Sequence, residues 1–179
     1  INKVYEITTP YPTAQLFDIK FAQSADVMYI THPSHEVEKL SRTAHTTWTL
    51  TDVDFTNGPF MDVNTTATTL TPSSASVGSR DITASAITGI NGGVGWLATD
   101  VGRQIYFNAG YATITARTSA TIAVATVTTA FTNANAIAAW QLGSFSDTTG
   151  HPSCVTFFEQ RLVFAGTTDQ PQTIFFSKS

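Results

Sequence analysis

Across this chain no window of useful length repeats apolar residues at i, i+3, i+4 and i+7, whereas β-branched and aromatic residues alternate with polar ones in short runs. That pattern predicts an all-β chain of short strands. Residues 16–23 (LFDIKFAQ) put Phe17, Ile19 and Phe21 on one side, Ser24-Ala25-Asp26 turns, and residues 27–31 (VMYIT) return. His32-Pro33-Ser34-His35 turns again into a third strand over 37–42 (VEKLSR), and residues 48–55 (WTLTDVDF) form a fourth. The last alternates imperfectly, and its face switch between Leu50 and Val53 predicts a bulge. Four short antiparallel strands joined by tight turns make a meander, the unit of a β-propeller blade.

Only 12% of the 179 residues are charged, against about 25% in ordinary soluble domains. The polar surface must come from Thr, Ser, Asn and Gln, as in an extracellular or assembled β protein rather than a free cytosolic enzyme. The net charge is −4 with basic residues scattered singly, so no basic stripe marks a nucleic-acid grip. A mild negative charge instead lets DNA slide past without sticking. Cys154, the single cysteine, forms no internal disulfide, and its neighbours Val155 and Phe157 predict a buried thiol. No apolar run is long enough for a membrane-spanning helix, and the first residues carry no signal-peptide pattern. Beginning at Ile1, the chain reads as a segment of a larger protein.

An internal repeat emerges when the two ends are aligned. Residues 19–23 (IKFAQ) match residues 155–160 (VTFFEQ), and the run VMYITHPSHEVEKLSR matches RLVFAGTTDQPQTIFFSK in strand, turn and strand lengths. The prediction is one whole blade-like meander and three strands of a second, with residues 173–177 as its third strand. The fourth strand is expected from sequence past Ser179.

Between the copies the character changes. Asn57-Gly58-Pro59 is a turn signal that closes the first meander. Residues 65–79 (TTATTLTPSSASVGS) read as a polar connector with no need to pack a core. Strand candidates resume at 82–90, 104–107, 111–117, 121–127 and 138–145, the spacing of a small barrel or sandwich, with a hairpin turn over 116–120. Its strands carry small residues, so Trp96, Leu97, Tyr106, Phe107, Phe131 and Trp140 are expected to supply most of its buried area.

Several runs resemble the tail tubular, or nozzle, proteins of short-tailed bacteriophages. They are residues 5–11 (YEITTPY), 23–30 (QSADVMYI), Lys39-Leu40-Ser41-Arg42 followed by Trp48, and Asn57-Gly58-Pro59-Phe60. Asp100-Val101-Gly102-Arg103, Trp140-Gln141-Leu142-Gly143, Gly150-His151-Pro152, residues 157–166 and Gln170-Pro171-Gln172-Thr173 extend the resemblance over nearly the whole chain, in the family's order. The resemblance implies propeller-like bodies with inserted β domains, assembled as a homohexameric tube below the tail adaptor that conducts the genome outward. Members of that family are much longer, so the resemblance is to a fragment.

Other constellations carry less. His32-Pro33-Ser34-His35-Glu36 offers two imidazoles and a carboxylate, but in a turn with a proline between them rather than converging tetrahedrally; an exposed hairpin turn is expected. Residues 93–98 (GVGWLA) fit the letters of a dinucleotide fingerprint without the crossover helix that its chemistry requires. Glu36 with Glu38, and Asp52 with Asp54, are spaced for one strand face, as a glycosidase pair could be; a solvated edge that discourages strand pairing is the commoner use. No serine has a nucleophile-elbow context, and Cys154 lacks an activating base. No metal, cofactor or catalytic residue is expected. Arg42, Arg103 and Arg161 flank strand residues and either grip DNA or a neighbouring subunit, or pair structurally with Asp26, Asp100 or Glu159.

The expectation is therefore an all-β chain of propeller-like meanders with an inserted small β-barrel or sandwich. Residues 1–57 and 147–179 form the discontinuous body, 58–79 the connector and 80–146 the inserted domain. Its expected role is that of a non-enzymatic structural component of a bacteriophage tail in the virion, a homo-oligomer partnered by adaptor and fibre proteins with double-stranded DNA in transit. An alternative makes the inserted domain a glycan- or receptor-binding module with Trp96, Tyr111 and Trp140 as stacking platforms, and a polysaccharide hydrolase comes third.

Overall fold

A computed structural model describes residues 5–178, and the described chain is all-β. It divides into two compact units, one taking residues up to Asp54 together with those from Thr149 on, the other taking Phe55–Thr148.

The first unit holds two antiparallel sheets. β1 (Lys20–Ser24), β2 (Val27–His32), β3 (His35–Ala44) and β4 (Thr47–Asp52) pair in sequence order as a four-stranded meander. β11 (Cys154–Phe158), β12 (Arg161–Ala165) and β13 (Ile174–Phe176) make a three-stranded one. Each sheet opens with a two-residue turn, Ala25-Asp26 or Glu159-Gln160, and positive φ at Ala25 (50°), Glu159 (49°) and Gln160 (61°) matches the twist that such tight hairpins demand. The sheets lie against one another through β11 and the β1–β2 hairpin, where the rings of Phe157 and Tyr29 meet edge to face at 6.1 Å. The second turns differ: two residues join β2 to β3, but Gly166–Thr173 joins β12 to β13, so the expected match in turn length fails there. The expected bulge between Leu50 and Val53 is also absent, because β4 ends at Asp52; the register shifts lie between Ile30 and His32 and between Arg42 and Ala44. Cys154 is exposed rather than buried, because its position at the first residue of an edge strand places it on the outward face.

The second unit is one six-stranded antiparallel sheet curled into a half-barrel. Its strands are β5 (Leu70–Pro72), β6 (Gly78–Ala84), β7 (Gln104–Phe107), β8 (Gly110–Arg117), β9 (Ile122–Thr129) and β10 (Gln141–Leu142), in the spatial order β10-β7-β8-β9-β6-β5. Alternation along β8 and β9 sends Ala112, Ile114, Ala123, Ala125 and Val127 inward, and small residues let the curled sheet close on Trp96, Phe107, Phe131 and Trp140. Phe107 and Phe131 stack with centroids 4.2 Å apart. Leu97 and Tyr106, expected in this core, are only half-buried.

The run expected to be a polar connector belongs to this core. Leu70 in β5 is fully buried and Thr68 nearly so. Two of its threonines turn their hydroxyls to the backbone: Thr66 and Thr68 both donate to the Thr88 carbonyl. Asn64 ties the run down, its Nδ2 donating to the carbonyls of Thr66, Thr68 and Ala138 at 2.9–3.2 Å while its Oδ1 accepts from the Thr66 amide. Hydroxyl-rich sequence is polar in composition but can satisfy buried backbone groups, which is why composition alone misassigned it.

Candidate functional site

Three groups of side chains stand out, and they are of different kinds. The first is built around Arg103, which is 1% exposed and ion-paired to the equally buried Asp100 at 3.1 Å. Its Nε donates to the Gly143 carbonyl at 2.8 Å, Nη1 to Asn91 Oδ1 at 2.7 Å, and Nη2 contacts Met61 Sδ at 3.0 Å. Asp100 Oδ2 in turn accepts from the Leu97 amide and Asn91 Nδ2. A buried charge pair is tolerated when its remaining hydrogen-bonding groups find partners, as they do here. The network locks the 98–103 turn to the loop at Gly143, and its burial leaves Arg103 no surface on which to meet DNA or a subunit.

Arg42 is a surface counterpart. Its Nε and Nη2 both reach Asp26 Oδ1 at 2.9 Å, and its guanidinium lies 6.0 Å from the Trp48 ring centre. The pair is solvent-exposed and holds the ends of the first hairpin and β3 together. Arg161 begins β12 in solvent, and among the described residues no ion pair joins it to Glu159.

The glycan platform is overturned by burial. Trp96 is fully buried and Trp140 is 2% exposed, with its indole nitrogen donating to the Thr68 carbonyl at 2.9 Å. Trp96 sits where Gly95 passes the neighbouring backbone so closely that a Cβ at position 95 would lie 2.3 Å from the Ala120 carbonyl. Neither ring can stack on a sugar, because large rings are what closes a core lined by alanines. Tyr111 remains half-exposed on β8 without them.

The second group surrounds the β2–β3 turn. The His32 and His35 rings lie 5.1 Å apart, and Tyr11 packs edge-on against His35 at 5.3 Å. His35 Nε2 bonds Gln15 Oε1 at 2.6 Å, and His32 Nδ1 accepts the Ser34 amide at 3.1 Å. The turn is thus covered by the 11–15 segment, and His32 is 2% exposed where an open hairpin turn was expected. Among the described residues, no cluster of three or more His, Cys, Asp or Glu side chains is placed to hold a metal ion. Burial, and then the nearby His35, hold the His32 imidazole below its ordinary value, with Asp18 opposing them. Burial raises the Glu38 carboxyl, and Asp52 and Glu36 raise it further. The Tyr11 hydroxyl is pushed up to about 12 by burial and by the charges of Glu38 and Asp52. Each shift favours the neutral form of its group, as burial in a joint between a strand turn and a covering segment does.

The third group is apolar and open, and sequence reasoning placed its residues on strands without saying which faces are covered. Phe17 is 93% exposed, Phe21 64%, Phe158 61%, Ile174 58% and Phe176 55%. All belong to the first unit, on the outward sides of its two sheets or on the segment leading into β1. Their signal in the sequence was aromatic density at strand positions, which cannot distinguish a covered face from an uncovered one. No protein-family model matches this chain, and no curated protein matches it significantly.

Proposed function

We propose that this chain is a wall-forming part of a bacteriophage tail, contributing to the tubular nozzle through which the genome leaves. In this reading its two meanders are adjacent blades of a propeller-like body, and Phe55–Thr148 is a domain inserted between them. The observation that carries it is the first unit itself: two antiparallel meanders that touch through β11 and the β1–β2 hairpin, with Phe21, Phe158 and Phe176 exposed to solvent. A blade shows that pattern when it is built to be covered by another blade or subunit. The sequence resemblance supplies the tail context. The mechanism is geometric: stiff sheets form the wall, buried apolar faces join its parts, and sparse charge with a net of −4 lets double-stranded DNA pass without retention. The test is to purify the protein, measure its mass in solution, and image it with and without a tail adaptor. Closed rings with an open lumen are expected. A protein that stays monomeric and forms no ring with the adaptor would overturn the reading.

A further inference from the structure

We infer that the segment over residues 11–15 is an acid-released strap, closed over the β2–β3 turn at neutral pH and lifted when His32 takes up a second ring proton. The geometry first fixes the state of His32. Its Nδ1 accepts the Ser34 amide at 3.1 Å, so the proton of the neutral ring sits on Nε2, which is buried and has no hydrogen-bond partner among the described residues. A second proton can enter only at Nδ1. There it displaces the Ser34 amide, leaves that donor unsatisfied, and charges a residue that is 2% exposed. His35 answers differently: its Nε2 meets Gln15 Oε1 at 2.6 Å, and a charged His35 keeps that bond as a donor. Two charged rings 5.1 Å apart then repel beneath Tyr11, whose ring lies 6.1 Å from His32 and 5.3 Å from His35. Lifting the strap lets water reach both.

The strap is held lightly. Its 3-10 turn over Thr13–Gln15 buries no residue, and Pro12, Thr13 and Ala14 are exposed. Its ties are the buried Tyr11 ring and the Gln15 side chain. The closed state also carries two buried donors without partners among the described residues, the Tyr11 hydroxyl and His32 Nε2, and lifting hydrates both. A segment with so few buried contacts opens without unfolding the sheet behind it. The surrounding charges set the direction. Asp18, just past the strap, favours a charged His32 and opposes release. Glu38 on β3 and Asp52, its cross-strand neighbour on β4, act on the Tyr11 hydroxyl. Burial raises the Glu38 carboxyl, so acid discharges a carboxylate beside the strap as the imidazoles charge. Glu36 is exposed on β3, and Lys20, exposed on β1 opposite Thr31, donates to the Phe17 carbonyl. His151 is buried behind the turn, its amide donating to the Pro33 carbonyl at 3.0 Å.

This inference rests on the first unit alone and stands whether or not the protein belongs to a tail. The test is NMR of the 179-residue chain, labelled in its histidine and tyrosine rings and titrated with acid from neutral pH. The histidine nitrogen shifts are expected to show the His32 proton on Nε2 at neutral pH. The Tyr11 ring signals, assigned with Tyr11→Phe, are expected to move to free-tyrosine positions below pH 6.5, with the midpoint of the His32 titration. Gln15→Ala removes the tie at His35 and should raise that midpoint by about 0.5–1 pH unit, the size of one net hydrogen bond. His32→Asn keeps an acceptor for the Ser34 amide but takes no proton, so Tyr11 should stay in its closed position at the pH where it moves in the wild type. If neither variant folds, the coincidence of the His32 and Tyr11 midpoints in the wild type decides. A His32 proton on Nδ1 would overturn the proposal. So would Tyr11 signals that stay put throughout, that move only together with those of Tyr106 and Tyr111 in the other unit, or that move in His32→Asn as in the wild type.

Discussion

The unit spanning Phe55–Thr148 buries Trp96, Phe107, Ile105 and Leu70 completely, while in the other unit the buried apolar side chains among the described residues are Tyr11, Val37, Val163 and Phe164. The meander unit leaves Phe17, Phe21, Phe158 and Phe176 in solvent. Both are antiparallel and both alternate apolar with polar residues, so the difference is not one of strand chemistry. It is one of closure: a sheet of six strands curls far enough to cover its own inner face, whereas the meanders of three and four strands touch only where β11 meets the β1–β2 hairpin.

The largest effects should separate the two units. Trp96→Ala is expected to cost about 3–5 kcal/mol, as for other buried aromatic deletions, whereas Phe158→Ala should change the stability of the monomer by less than about 0.5 kcal/mol. Urea unfolding followed by tryptophan fluorescence and circular dichroism measures both. Equal costs would erase the contrast. Close behind comes the pair of arginine contacts. Asp100→Ala strands the Arg103 cation in the core and should cost about 3–5 kcal/mol, while Arg42→Ala removes an exposed pair worth about 0–1 kcal/mol. Asn64→Ala should cost about 1–3 kcal/mol by leaving buried carbonyls unpaired; a value near zero would mean that the threonine-rich run is a connector after all.

The smallest effects concern the joint at the β2–β3 turn and are read from pH. The Glu38 carboxyl is raised above 4.5, chiefly by burial, so the folded unit holds this proton more tightly than the unfolded chain does. Its contribution is present below about pH 4.5 and is lost as pH rises through the raised value. His32 is lowered from 6.5, so its contribution is present above that pH and is lost as pH falls through the lowered value. Thermal unfolding across pH 4–8 should therefore show Glu38→Gln relieving the loss on the alkaline side and His32→Asn relieving it on the acidic side. If neither substitution alters the profile, burial does not shift these two groups.

Much of the fold was legible in the order of residues. The 104–107 strand, the hairpin between 117 and 122, and the first two strands of each meander follow from period-two alternation and turn residues, because both act over a few neighbours. Residues 65–79 were misjudged because Thr and Asn look alike whether water or a backbone carbonyl satisfies them. Trp96 and Trp140 looked equally suited to a core or to a ligand platform, since an indole serves both.

The sequence by itself determined that the chain is β, where its hairpins turn, and which side chains share a face, for these are consequences of backbone geometry within a strand and its nearest turn. Only the tertiary structure decided which faces are covered. The closed half-barrel swallowed Trp96, Trp140 and Arg103, and the meanders left Phe21, Phe158 and Phe176 outside. The reason is that burial depends on which distant strand arrives to cover a surface, and no local pattern of residues records that arrival.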